Sequence, residues 1–227
     1  MKLAERAARV WRHRERIEHE AAALFGGLAE DLAKSGHLDA ANRAVDAAAD
    51  ERRHALRCCE LVDALSSVPL PSEQCRHVIL GPAELSPRDR MLYAAVALGC
   101  VTESLSCALL LELREKATHG LVRATVEEIV KDEIEHARIG WSVLAAEARE
   151  RDVGWLARYL PAITAEAIAE DIAPMAGDDE LAGLGVLPRA RVDVLVSETW
   201  TSVIAPGLER YGVRVRSHVW SRPRPGV

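Results

Sequence analysis

The sequence predicts an all-α protein built on four long helices packed as a bundle, and three observations carry that prediction. Aromatic residues are only 4% of the 227, Ala is abundant, and Gly and Pro cluster rather than spread, a pattern that favours helices over a β-sandwich or barrel. Apolar residues recur at spacings of three and four through four stretches, each about 30 residues long. A link of about 20 residues rich in Pro and Gly divides these stretches into two pairs. Hydrophobic residues at 49% and charged residues at 28% supply a core and a solvated surface for one large domain or two small ones.

The first helix is expected over about Leu3 to Lys34, with Val10, Ile17, Ala21, Leu24, Phe25, Leu28 and Leu32 on one stripe, and Ser35-Gly36 ends it. The second spans about Leu38 to Leu65, carrying Val45, Ala48, Glu51, His54, Ala55, Cys58 and Val62 on one face. The following link, with Pro69, Pro71, Gly81 and Pro82, is too long for a tight turn and predicts a crossing from one end of the bundle to the other. Ser86-Pro87-Arg88-Asp89 combines a capping hydroxyl, proline at the first helical position and an acid in the first turn, so a third helix starts there and runs to about Thr118. After His119-Gly120 a fourth runs from about Leu121 to Arg151, with Val126, Ile129, Val130, Glu133, Ala137, Gly140 and Leu144 in its stripe. Residues 152–227 then form an extension on the bundle of residues 1–151. Two packing helices are expected in it, about Trp155 to Ala173 and Pro188 to Tyr211, with Pro161 and Pro206 as points of division.

Lys and Arg number 29 against 35 Asp and Glu, a net charge of −6, which lacks the concentrated positive surface that nucleic-acid binding needs. Arg214, Arg216, Arg222 and Arg224, interspersed with Pro223 and Pro225, read as a solvated basic tail. Five cysteines without a C-x-x-C pair predict reduced thiols and a cytoplasmic setting, and exclude a zinc ribbon or rubredoxin-type site. The N-terminus lacks the apolar core of a signal peptide and no run of 18 apolar residues occurs, so no membrane partner is expected.

The chemistry sits in a repeated hexapeptide. Asp50-Glu51-Arg-Arg-His54-Ala55 returns 82 positions later as Asp132-Glu133-Ile-Glu-His136-Ala137. Residues three apart share a helix face, so each copy points one carboxylate and one imidazole the same way, half of a metal site. With 23 Glu and 8 His in 227 residues, a bare E-x-x-H is expected about 0.8 times by chance; adding the flanking Asp and Ala lowers this to about 0.01, and the pattern is met twice.

Helices one and three each offer a further acid. Glu103 is the only charge between Arg90 and Glu112, and a carboxylate in so apolar a run needs a hydrogen-bond partner or a metal. On the first helix Glu18 precedes Gly36 by 18 residues while Glu51 follows it by 15, a similar depth in an antiparallel hairpin, and Glu18 lines up with Trp11, Ala21 and Phe25. Glu20, beside Ile17 and Leu24, is the alternative. The candidate metal set is therefore Glu18, Glu51, His54, Glu103, Glu133 and His136.

With this set the chain resembles the ferritin-like di-iron carboxylate superfamily, which includes bacterioferritins, rubrerythrins and larger di-iron oxidases. The resemblance covers about residues 3 to 151 and is carried best by Glu18-x-x-Ala21-x-x-x-Phe25 through Gly36 to Glu51-x-x-His54-Ala55. It implies a ferritin-like four-helix bundle in which Glu51 and Glu133 bridge two metals, Glu18 and Glu103 are terminal ligands, and His54 and His136 bind one metal each. It further implies that Asp50 and Asp132 orient the histidine of the opposite motif; simple solvation of the helix is the alternative for both. Independently of the family, four carboxylates buried together must take up protons or cations, and oxygen with imidazole donors suits two iron ions, or manganese, or a mixed pair.

Cys58, Cys100 and Cys107 read as core fillers near the site, Trp141 and Tyr93 as core or rim, and His13, His19, His37, His77, His119 and His218 as surface residues. The chain lacks a rubredoxin module and adds about 70 residues after the fourth helix, a departure that points away from rubrerythrin and iron storage. The leading expectation is an O2-activating di-iron oxidase or oxygenase acting on a small organic substrate, served by an electron donor and open to homodimer formation. A ferroxidase or peroxide scavenger is the second reading. A non-enzymatic helical interaction protein, its acids paired with Arg52, Arg53 and Arg138, is the third.

Overall fold

α1 (Leu3–Lys34) and α2 (Leu38–Leu65) are joined by only three residues, and a left-handed glycine makes the turn. Gly36 has φ +84°, the amide of His37 returns to the Leu32 carbonyl at 2.9 Å, and that of Gly36 to Ala33 at 3.1 Å. This closes the last turn of α1 and forces α2 back antiparallel along it. The computed structural model used throughout describes residues 2–215; Arg216, His218, Arg222, Pro223, Arg224 and Pro225 lie outside the described residues.

Residues 66–86 then run alongside α1 from its N-terminal to its C-terminal half. Ser67 bonds Glu5 (3.1 Å), Glu73 bonds His13 and Arg16 (both 3.0 Å), the Arg76 amide bonds Glu20 (2.7 Å), and Val78 and Leu80 line the same cleft as Leu24. The crossing delivers α3 to the opposite end of the bundle. Its start is capped by Ser86 Oγ, which accepts from the Asp89 amide at 3.2 Å, and the helix continues over Pro87–Lys116 with a π-helical stretch at Val96–Thr102. By length and composition α3 passes for a membrane span, but 72% of its most apolar window lies inside the protein, where the core takes up that surface. It stops before Thr118 because the Thr118 and His119 amides bond the Gly183 carbonyl (3.0 and 3.1 Å). α4 (Gly120–Glu150) follows.

In section the order is α1, α2, α4, α3, with α3 closing on α1. Cross-helix partners fix the directions. Arg43 reaches the Glu135 carbonyl while Arg57 meets Glu128, so α2 and α4 are antiparallel; Arg88 pairs with Glu147 and Ser106 with Glu133, so α3 and α4 are too. Two glycines bring α3 and α4 into backbone contact. A Cβ on Gly140 would lie 2.5 Å from the Ala95 carbonyl oxygen, and one on Gly99 would lie 2.7 Å from Gly140 Cα.

The expected apolar stripes hold with two adjustments. Phe25, Leu28 and Leu32 are buried, whereas Ile17, Ala21 and Leu24 are half-buried because they line a cleft. Val45 is 57% exposed; Ala44, Ala47 and Ala48 form the buried face at that level, and Val45 lies one position around the helix from it.

The two helical segments expected in the extension are present but more finely divided than the prolines at 161 and 206 alone imply. The first is a 3-10 turn Gly154–Arg158, α5 (Leu160–Glu166), a π stretch Ala167–Ile172 and a 3-10 turn Ala173–Met175. The second is α6 (Arg189–Thr199), a π stretch Trp200–Ile204 and α7 (Ala205–Arg210). Prolines explain part of this: Pro161 and Pro174 open new turns, and Pro206 has no N–H to give to the preceding turn. The extension shares its core with the bundle through Leu156, Leu160, Ile163 and Trp200. It is pinned to α1 where Trp11 Nε1 donates to the Leu184 carbonyl (2.9 Å) and Gly185, at φ +81°, leaves room for the indole. Among the described residues there are seven α-helices, with α3 counted as one, and no strand.

Candidate metal centre

Because α2 and α4 run antiparallel with their E-x-x-H motifs at the same depth, the motifs face each other across the bundle axis. Glu51, His54, Glu133 and His136 are each at most 2% exposed, and Glu18 from α1 and Glu103 from α3 are 3% exposed beside them. Their donor atoms form two groups, Glu18, Glu51, His54, Glu133 and Glu51, Glu103, Glu133, His136, each within 4.8 Å and each able to hold a metal ion. Glu51 and Glu133 belong to both.

The imidazoles are oriented by the crossed acids. His54 Nδ1 faces Glu51 (3.2 Å) and His136 Nδ1 faces Glu51 and Glu133 (3.0 and 3.2 Å), so both Nδ1 atoms look into the cluster. On the outer side His54 Nε2 meets Asp132 at 3.0 Å and His136 Nε2 meets Asp50 at 3.3 Å, each acid belonging to the opposite helix. A carboxylate accepts the Nε2 proton and leaves the Nδ1 lone pair free for a metal in the neutral ring. Arg53 donates to both acids, Asp50 at 2.8 Å and Asp132 at 2.7 Å, and ties the pairs together.

Of the two candidates on α1, Glu18 is the one brought into the cluster. Glu20 stands outside both groups, bound by Arg16 and by the Arg76 amide and side chain (2.7 and 2.6 Å), where it anchors the crossing link. Arg53 serves Asp50, Asp132 and Glu128, Arg138 pairs with Glu135 at the surface, and Arg52 is exposed; none of the three pairs with a carboxylate of the cluster.

The buried arginine that does so, Arg14, is missing from the sequence expectation. It is 5% exposed, its Nε donates to Glu18 Oε1 at 2.8 Å, and its Nη2 lies 3.5 Å from Ser106 Oγ and 4.0 Å from Glu133 Oε1. Its position four residues before Glu18 was the available signal, since such a pair shares a helix face.

Protons hold this cluster together in the metal-free chain. Burial, with the neighbouring Glu133 and Glu51 charges, raises Glu103 well above the carboxylate range, and no cation pairs with it among the described residues. Burial pushes Glu18 up to about 8 in spite of Arg14. For Glu51 burial acts upward too, but hydrogen bonds from His136 and His54 hold it well below its usual value. The histidines go the other way: burial lowers them, yet hydrogen bonds and charge from the glutamates raise His54 to about 9 and His136 to about 11. Two imidazolium ions and extra carboxyl protons thus supply the positive charge that the donor set lacks.

A cleft reaches the cluster from the α1/α3 side. Its empty space, out to the open mouth, is about 850 Å³. Ile17, Ala21, Leu24 and Leu98 form its apolar wall, Glu18, Glu103 and Glu133 its floor, and Ile163, Ala167, Ile172 and Met175 of the extension cover it. Glu166, Glu170 and Asp171 stand at the rim with Arg76. Cys58 and Cys100 are fully buried in the core, and no cysteine lines the cleft. Tyr93 packs edge-on against Tyr159, and Trp141 donates to Ser104 (3.3 Å). Among the histidines expected at the surface, His19 and His77 are exposed, His13 bonds Glu73, and His119 is half-buried. His37 is a correction: it bonds the fully buried Glu147 at 2.7 Å, drawn in by a network that includes Arg88 and Arg151.

No protein-family model, curated protein or solved structure matches the chain.

Proposed function

We propose that this protein is a ferritin-like non-haem di-iron oxidase or oxygenase that uses O2 to oxidise a small organic substrate. The observation that carries the reading is the pair of buried donor groups sharing Glu51 and Glu133 at the floor of an apolar cleft. The residues fit two divalent cations, because four buried carboxylates face one guanidinium among the described residues, and no arginine or lysine there pairs with Glu103. Glu18 with His54 would hold one ion and Glu103 with His136 the other, bridged by Glu51 and Glu133. Iron there supplies the electrons that reduce O2, and manganese or a mixed pair suits the same donors.

The remaining chemistry belongs to the protein. Asp132 and Asp50 hold His54 and His136 in the tautomer that presents Nδ1 inward. The extension covers the cleft with Ile163, Ala167, Ile172 and Met175, and together with Leu98 these side chains would favour an apolar substrate. An electron donor from outside the chain completes the cycle. A second reading, iron handling, is favoured by the acidic rim of Glu166, Glu170 and Asp171, which attracts cations.

Anaerobic Fe(II) loading followed by O2 separates these readings. An oxidase stops at about two irons per chain with a ligand-field spectrum that Glu51→Ala and His136→Ala abolish, whereas iron handling continues into a growing mineral. Less than about one metal per chain after loading, with both variants behaving as wild type, would falsify both.

A further inference from the structure

The carboxylates of the cluster are unequally supplied with positive charge. Arg14 favours one edge: its guanidinium donates at 2.8 Å to Glu18, which belongs to one donor group only, and lies 4.0 Å from Glu133, which the two groups share. At 5% exposure it is out of contact with bulk water, its Cζ sits 5.9 Å from the centre of the Trp11 ring, and Ser106 is 3.5 Å from its far nitrogen. A guanidinium does not give up its proton in a protein, so this charge is permanent. The opposite edge, Glu103 with His136, has no arginine or lysine paired with it among the described residues.

We infer that Arg14 makes the two metal positions unequal, so that an ion among Glu51, Glu103, Glu133 and His136 binds first and tightly. The ion among Glu18, Glu51, His54 and Glu133 binds second and more weakly. The inference rests on the proposed di-metal reading. An ion entering the Glu18 group meets a like charge a few ångströms away across a poorly screened interior, and shares Glu18 with the guanidinium that already holds one of its oxygens. An ion entering the Glu103 group meets no guanidinium and displaces only protons, which leave for solvent. Arg14 is therefore a positioning residue that sets the order of loading rather than a group that touches substrate.

The test is an anaerobic Co(II) titration of the full chain, read by calorimetry and by the visible ligand-field bands, which needs no turnover. Two steps separated by at least about tenfold in Kd are expected for wild type. His54→Ala should lose the weak step and keep the tight one, and His136→Ala should lose the tight one. Arg14→Met should tighten the second step by about tenfold or more, while Arg14→Lys, which keeps the charge, should leave the steps apart. Two equal steps in wild type, or loss of the tight step in His54→Ala, overturns the inference while the di-metal reading stands. No stoichiometric binding overturns that reading and the inference with it. If Arg14→Met does not fold, the wild-type steps and their assignment by the two histidine variants decide the matter alone.

Discussion

Glu103 illustrates how a single residue can be costly to the fold and central to the site. It is 3% exposed, and burial raises its carboxyl well above the usual range. An amide of the same shape removes that burden, because it carries no charge to desolvate. Metal-free Glu103→Gln should therefore melt a few degrees above wild type, on the order of 1 kcal/mol for a chain of this size. It should also bind one divalent ion instead of two. Thermal unfolding in chelator together with metal analysis checks this, and a lower melting temperature with two ions still bound sinks it. Glu18 and Glu20 teach a related point: two residues apart on α1, one enters the cluster and the other binds Arg16 and Arg76. Periodicity placed both near the stripe, but only the position of the crossing link decided that Glu20 is held by Arg76.

Among the elements, the contact between α3 and α4 determines how close Glu103 comes to Glu133 and His136. Gly140 lies one turn beyond His136, and a Cβ there would meet the Ala95 carbonyl oxygen at 2.5 Å and the Cys100 nitrogen at 2.7 Å. Gly140→Ala should cost about 1–3 kcal/mol, since backbone atoms rather than a flexible side chain must move. Gly27→Ala, on the same bundle with nothing within 4 Å, should instead gain roughly 0.5–1 kcal/mol through helix propensity. Denaturant unfolding of both variants measures the contrast, and equal effects would contradict the packing account. The four long helices, the glycine turn at Gly36 and the Ser86-Pro87 start are legible in sequence because they depend on local periodicity and capping. The π stretches at Val96–Thr102 and Trp200–Ile204 are not, because a helix ladder shifts by one residue only where its neighbours demand it.

For the whole molecule, the charge balance of the centre makes stability depend on pH and on metal together. In the metal-free chain Glu18 rises from 4.5 to about 8 and His54 from 6.5 to about 9. A group raised in the folded state contributes stability that is full below its unfolded value and lost as pH climbs through its folded value. The melting temperature in chelator should accordingly fall between about pH 6 and 9. Glu51, Glu147 and Asp89 are held low, so they withdraw stability at the other end, as pH drops below about 4.5. Divalent metal competes with the protons and should reverse the alkaline slope. Differential scanning calorimetry across pH 6 to 9 decides this, and a flat or rising profile without metal counts against it.

Composition and apolar periodicity determined by themselves the helical class, and the doubled D-E-x-x-H-A the pairing of carboxylate with imidazole on each motif, since each follows from spacing along one helix. Tertiary structure alone decided the rest. It brought Asp50 to His136 and Asp132 to His54, chose Glu18, buried Arg14 at one edge, and laid residues 163–175 over the cleft. These relations join residues far apart in the chain, where no periodicity acts and only packing and charge neutralisation in a water-poor interior fix the outcome.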